Sequence, residues 1–211
     1  MAVRTREEWL VNVAKQCEAM FAPLLKQGTF AQSKKPKYRV TCGFPSKSAL
    51  ARKSRRIGEC WAPEASTDET VEIFISPLLD DPARVAGVLV HEMIHAYDRN
   101  VNGHKGPFVT AMKALGLEGK PTATTEGELF LANIKPVLRS VGKYPHKAMD
   151  PKAGAKKQTT RMIKVDCALC DDEGEPYVIR MTRKQIERGC PLCPFHEVEM
   201  VPDEASLAAA G

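Results

Sequence analysis

Apolar residues recur at helical spacing from the start of the chain. Trp9, Val13, Cys17, Met20 and Leu24 form one stripe, which predicts a helix over about Arg6 to Leu25 with one buried face. Thr5 and Glu8 supply a capping box at its start, and Pro23 and Gly28 mark its end. The period then drops to two. Tyr38-Arg-Val-Thr-Cys42, Ile57-Gly-Glu-Cys-Trp61 and Val71-Glu-Ile-Phe-Ile75 each alternate like a short strand. The turn-forming Pro63-Glu-Ala-Ser-Thr-Asp68 makes the last two a predicted hairpin. A second helix, capped by Asp80 or Asp81 with Pro82 in its first turn, is expected to run to about Arg99 and to break over Asn100 to Gly103. Val85, Val88, Leu89, Val90, Met93 and Ile94 make it apolar on more than one side, so it belongs at the centre of the core. Further helices are expected over about Pro107 to Leu115, ending at Gly116, and about Glu126 to Val141, with Pro136 inside. The pattern predicts an α+β domain with a three-stranded sheet over residues 1–141.

Beyond residue 141 the composition shifts to Lys, Pro, Gly and Ala, and 142–161 reads as a basic linker. Residues 162–201 carry two CxxC pairs, Cys167-Ala-Leu-Cys170 and Cys190-Pro-Leu-Cys193, with a strand expected at Tyr177 to Met181 between them. Two knuckles at this separation predict a zinc ribbon in which four thiolates close the coordination sphere of a structural zinc. A redox dithiol is the rival, and the presence of two pairs argues against it. So small a module builds too little core alone, so the metal should hold it together. Residues 202–211 are expected to be a flexible tail.

With 211 residues, 43% apolar and 27% charged, the chain has room for one ordinary domain and a small module. No run approaches the ~18 apolar residues of a spanning helix, so no membrane partner is expected. Acids at Glu7 and Glu8 fall where a signal peptide would have its apolar core, which predicts a cytoplasmic protein that is not secreted. Cys17, Cys42 and Cys60 are left over from the pairs, a usage that fits intracellular metal binding better than a disulfide scaffold.

The chemistry concentrates at His91-Glu-Met-Ile-His95, an HExxH pattern inside a predicted core helix. Residues four apart share a helix face, so both imidazoles can meet one metal ion. Glu92 is offset by roughly 100° around the axis, where it can take a proton from a water activated by zinc and pass it to a leaving amine. A solvated helix that merely carries these residues would not have such apolar flanks, and two unpartnered buried imidazoles would be costly. A catalytic zinc usually takes a third protein ligand. His104 follows the helix-breaking Asn100-Val-Asn-Gly103 and leads; Glu126 and Glu128 are rivals. His146 and His196 read as surface histidines. Asp98 reads either as an acceptor for an imidazole or as a plain helix-end residue, and Tyr97 as a half-buried core tyrosine.

These residues resemble the SprT-like metallopeptidases, the group that includes the Spartan proteases of DNA–protein crosslinks. The resemblance covers the first helix, the hairpin of Ile57-Gly-Glu-Cys-Trp61 and Ile73-Phe-Ile-Ser-Pro77, the HExxH helix, His104 with Gly106 and Phe108, and the paired CxxC motifs. With Pro145-His146 and the Lys-rich linker, the arrangement is most similar to small SprT-like proteins of bacteriophages. The resemblance implies a small zincin-type catalytic domain and a bacterial host cytoplasm. It implies one catalytic zinc on His91, His95 and His104 with Glu92 as acid/base, beside the structural zinc of Cys167, Cys170, Cys190 and Cys193. Its implied activity is a zinc endopeptidase acting on a protein substrate; the alternative is a non-catalytic DNA-binding or transcription-associated protein. Lys105 stands where many relatives place Gly directly after the third ligand.

Net charge is +5, a mild hint of a polyanionic partner. No acid occurs from Ala19 through Gly58, and Lys34, Lys35, Lys37, Arg39, Lys47, Arg52, Lys53, Arg55 and Arg56 fall in that gap. Lys152, Lys156, Lys157, Arg161 and Lys164 form a second basic stretch. Both are candidate phosphate contacts for DNA, single-stranded or bound without sequence preference, and solvated surface is the bland reading. Acids concentrate between Glu59 and Asp98, which places a basic surface beside a more acidic site.

Overall fold

The computed structural model describes residues 5–151, 153, 162–170 and 176–208. The described residues form six α-helices and small sheets, and the chain divides into two units, Met1–Asp150 and Pro151–Gly211.

In the first unit, α1 (Arg6–Lys26) begins on the expected capping box. Thr5 Oγ1 accepts from the Glu8 amide at 3.1 Å, and the Thr5 amide donates to the Glu8 carboxylate at 3.2 Å. Its buried stripe is Trp9, Leu10, Val13, Cys17, Phe21 and Leu24, with Met20 only half-buried. Strands β1 (Tyr38–Cys42), β2 (Gly58–Trp61) and β3 (Val71–Ile75) form one sheet in the order β1-β3-β2. The hairpin of β2 and β3 is antiparallel, while β1 joins the other side of β3 in parallel. Period-two alternation buries Val71, Ile73 and Ile75 and leaves Glu72 and Phe74 on the other face.

Helix α2 (Pro82–Tyr97) is the central element: every residue from Val85 to Tyr97 is buried. Asp81 caps it by accepting from the Arg84 amide at 2.8 Å. Tyr97 is fully buried, not half-buried, and stacks on Phe21 with ring centroids 4.2 Å apart. Helix α3 (Pro107–Ala114) leads into a hairpin that the hydrophobic pattern did not predict, β4 (Leu117–Lys120) and β5 (Ala123–Glu126). Helix α4 (Glu128–Val141) therefore starts after that hairpin. Gly116, at φ +80°, lets the turn after α3 approach the start of α4, because a Cβ there would lie 2.4 Å from the Phe130 amide nitrogen.

The expected linker starts later than residue 142. Trp9 donates to the Gly142 carbonyl at 3.0 Å, Tyr144 packs edge-on against Trp9, and the Met149 amide bonds to the Pro77 carbonyl. Aromatic burial thus draws 142–150 into the first unit. The basic candidates Lys152, Lys156, Lys157 and Arg161 lie outside the described residues.

In the second unit, β6 (Ile163–Asp166) pairs antiparallel with β7 (Val178–Met181) on one side and β8 (Val201–Pro202) on the other. A short helix α5 (Arg183–Ile186) follows β7. The segment expected as a tail carries α6 (Glu204–Ala208), before which Asp203 accepts from the Ser206 amide at 2.7 Å; residues 209–211 lie outside the described residues. Among the described residues no helix is long and apolar enough to cross a membrane.

Candidate metal centres

The middle of α2 places His91, Glu92 and His95 at 9%, 6% and 6% exposure. The chain then reverses. Asp98 accepts from the Asn102 amide at 2.8 Å and from Asn102 Nδ2 at 2.7 Å, while Arg99, Asn100 and Gly103 take positive φ. Asp98 therefore shapes the returning loop and does not orient an imidazole. The loop brings His104 back: its Nε2 lies 3.2 Å from His95 Nε2 and 3.3 Å from His91 Nε2. Three nitrogens on a tetrahedral zinc at 2.0–2.1 Å would stand about 3.3 Å apart, so this donor set fits one ion. Lys105 is exposed and does not disturb this arrangement. Phe108, fully buried at the start of α3, has its ring centroid 4.5–4.9 Å from all three imidazoles and forms an apolar wall beside them.

The electrostatics suit a cation. Burial, reinforced by the neighbouring imidazoles, pushes His91 down to about 3, and burial likewise takes His95 to about 3. Both rings are neutral and available as ligands. His91 Nδ1 lies 2.9 Å from Thr124 Oγ1 on β5, so the unpredicted hairpin supplies the partner that fixes this ring. Glu92 is pushed up to about 8 by burial, partly opposed by Arg56. Gly58 on the outer strand β2 sits against it: a Cβ there would be 2.4 Å from Glu92 Oε1. Next to Gly58, Glu59 accepts from the Ser46 amide and hydroxyl (both 2.8 Å), from Arg56 (2.5 Å) and from Trp61 Nε1 (3.2 Å).

Neither rival third ligand is at the centre. Glu126 bonds Arg84 Nη1 at 2.7 Å and lies against Gly87, where a Cβ would be 2.0 Å from its carboxylate. Glu128 is exposed at the start of α4.

The second unit gathers Cys167, Cys170 and Cys193 with His196. Cys170 Sγ is 3.7 Å from Cys193 Sγ, and His196 Nδ1 is 3.6, 3.4 and 3.7 Å from the sulfurs of Cys167, Cys170 and Cys193. This corrects two expectations. Cys190 is not in the group, and His196 is not a bystander on the surface. The cause is local. The Cys193 amide bonds to the Val198 carbonyl, Leu192 bridges to Glu199, and Glu197 turns at φ +56°. That tight turn puts Cys193 and His196 side by side and leaves Cys190 at its base. The signal was present as Cys193-Pro-Phe-His196, a CxxH overlapping the second CxxC. Thr124 gave no signal, since it meets His91 only through the fold.

The basic candidates divide. Lys35 pairs with Glu18, Lys37 with Asp68, Arg39 with Asp68 and Glu72, Arg56 with Glu59, and Lys164 with Asp166. Lys34, Lys47, Arg52, Lys53 and Arg55 are exposed. The last four share the loop between β1 and β2, where Arg55 bonds the Ala51 carbonyl.

Comparison with protein-family models, with curated proteins and with solved structures returned no match.

Proposed function

We propose that the first unit is a zinc-dependent endopeptidase, as the SprT-like resemblance implies. The observation that carries this reading is the convergence of three imidazoles, with the half-buried His104 Nε2 3.2 Å from His95 Nε2 and 3.3 Å from His91 Nε2, beside the buried Glu92 carboxyl on the helix that carries His91 and His95. His91, His95 and His104 would hold the metal. When bound, zinc supplies Lewis acidity and lowers the pKa of a water to about 7. Glu92 is the proton carrier, taking a proton from the attacking water and delivering it to the leaving amine nitrogen. Its closed surroundings at Gly58 and Val88 hold the carboxyl in one place. The outer strand β2 runs past this carboxyl and offers an edge along which an extended peptide can lie. The exposed Lys47, Arg52, Lys53 and Arg55 support a role on proteins bound to DNA, through phosphate contacts without sequence preference. The same loop supports the second reading, a non-catalytic DNA-binding protein.

The deciding experiment incubates the zinc-loaded protein with a basic DNA-binding protein, with and without single-stranded DNA, beside Glu92→Gln. Cleavage that falls by at least ~10²-fold in the variant is expected, because loss of a positioned acid/base costs about that much. DNA retention without cleavage in either condition overturns the peptidase reading in favour of the second.

A further inference from the structure

We propose that the metal of the second unit is held by Cys167, Cys170, Cys193 and His196, and that Cys190, despite its CxxC spacing, is not a ligand. Four edges of the donor set are 3.4, 3.6, 3.7 and 3.7 Å. A tetrahedral zinc with sulfur at ~2.3 Å and nitrogen at ~2.0–2.1 Å requires about 3.8 Å between sulfurs and about 3.6 Å between sulfur and nitrogen. These four edges match, and all four donor atoms lie within 4.8 Å of one another, so the set fits one tetrahedral ion without a fifth donor. Cys167, Cys170 and Cys193 are at 0%, 3% and 1% exposure, whereas Cys190 is only half-buried.

The backbone enforces the choice. Cys170 closes a turn on the Cys167 carbonyl, and the Glu197 amide closes one on the Cys193 carbonyl. Each turn presents its donors to the centre. Cys190 precedes the second turn, and its amide faces the Glu199 carboxylate at 3.4 Å. Three thiolates and a neutral imidazole leave the divalent centre at a net charge of about −1, against −2 for four thiolates. Cys190 remains a thiol, the one of the four left open to alkylation when the metal is bound.

Cobalt(II) loaded into the full chain serves as the probe. Sulfur-to-cobalt charge-transfer absorption arises only in the second unit, since the first centre offers three imidazoles, so the readout is independent of peptidase activity. Cys190→Ser is expected to keep both metal equivalents and the full charge-transfer intensity. His196→Ala is expected to weaken cobalt binding in the second unit by at least tenfold. Loss of about a quarter of the intensity in Cys190→Ser, as removal of one of four thiolates demands, with His196→Ala behaving as the parent, would overturn the assignment. A second measurement needs no variant: iodoacetamide treatment of the zinc-loaded protein, followed by peptide mass analysis. Labelling of Cys190 with Cys167, Cys170 and Cys193 protected is expected; protection of Cys190 equal to theirs refutes it.

Discussion

Two residues outside the donor set bear on the candidate centre of the first unit, and each can be tested alone. Thr124 gives His91 Nδ1 its partner at 2.9 Å. That contact holds the ring with Nε2 turned to the His104 imidazole. Thr124→Val keeps the shape and removes the hydroxyl, so the metal affinity of this centre should fall 10–100-fold, measured by competition with a chromophoric chelator. Gly58 acts on Glu92. An added methyl would lie 2.4 Å from its Oε1 and 2.7 Å from Val88 Cγ1, so the carboxyl must move. Gly58→Ala should cut turnover on the order of 10²-fold, the cost of a displacement of about 1 Å, while metal analysis still finds two equivalents. Loss of metal instead would mean that the methyl disturbs α2 itself. The HExxH residues were legible because their geometry is local: four residues of helix place two rings on one face. Thr124 and His196 were not. Thr124 is brought to His91 by a hairpin 33 residues away, and His196 is selected over Cys190 by a turn whose geometry two overlapping motifs leave undecided.

Among the elements, β2 is the one whose stability bears on the site, because it carries Gly58 and lies at the outer edge of the sheet. Glu59 anchors it to the loop that precedes it. Burial pushes the Glu59 carboxyl up, but the Ser46 amide and hydroxyl and the Arg56 guanidinium outweigh this and hold it below its ordinary value. A carboxylate with a lowered folded pKa contributes stability that is full above the unfolded value of ~4.3 and is lost as pH falls through the folded one. Glu59→Gln should therefore lower stability at neutral pH and flatten the loss of stability on acidification, followed by urea unfolding at pH 7 and at successively lower pH. An unchanged acid limb would show that this carboxylate is bound no better folded than unfolded. The strands and helices were legible where one face is buried at a regular period, as in α1 and β3, or where capping residues bracket a long apolar run, as in α2. The hairpin of β4 and β5 was not, because burial marks only Leu117 and Thr124 in it. Two positions in eight residues carry no readable period. The register of β1 was likewise hidden, since its parallel pairing with β3 spans the whole of β2.

At the scale of the molecule the two units differ in what holds them. The first has a continuous core that includes Trp9, Phe21, Tyr97, Phe108 and Phe130, all at 0–1% exposure, and apolar burial on this scale is a driving force for folding that needs no metal. The second has a buried cluster of Val165, Cys167, Cys170, Cys193 and Met200. Three of those five are sulfurs of the candidate centre. Without an ion they are thiols of small apolar area, and a module of this size has little else to offset the entropy of ordering its chain. Metal binding and folding should therefore be coupled in the second unit and separable in the first. Chelation of the full chain should abolish amide-exchange protection in β6 while leaving it in α2, apart from the turn at His95, and restoring zinc should restore it. If β6 stays protected after the metal is shown to be gone, its fold rests on packing rather than on the ion. If α2 opens together with β6, the two units share one cooperative transition, and the ion in each supports the whole chain.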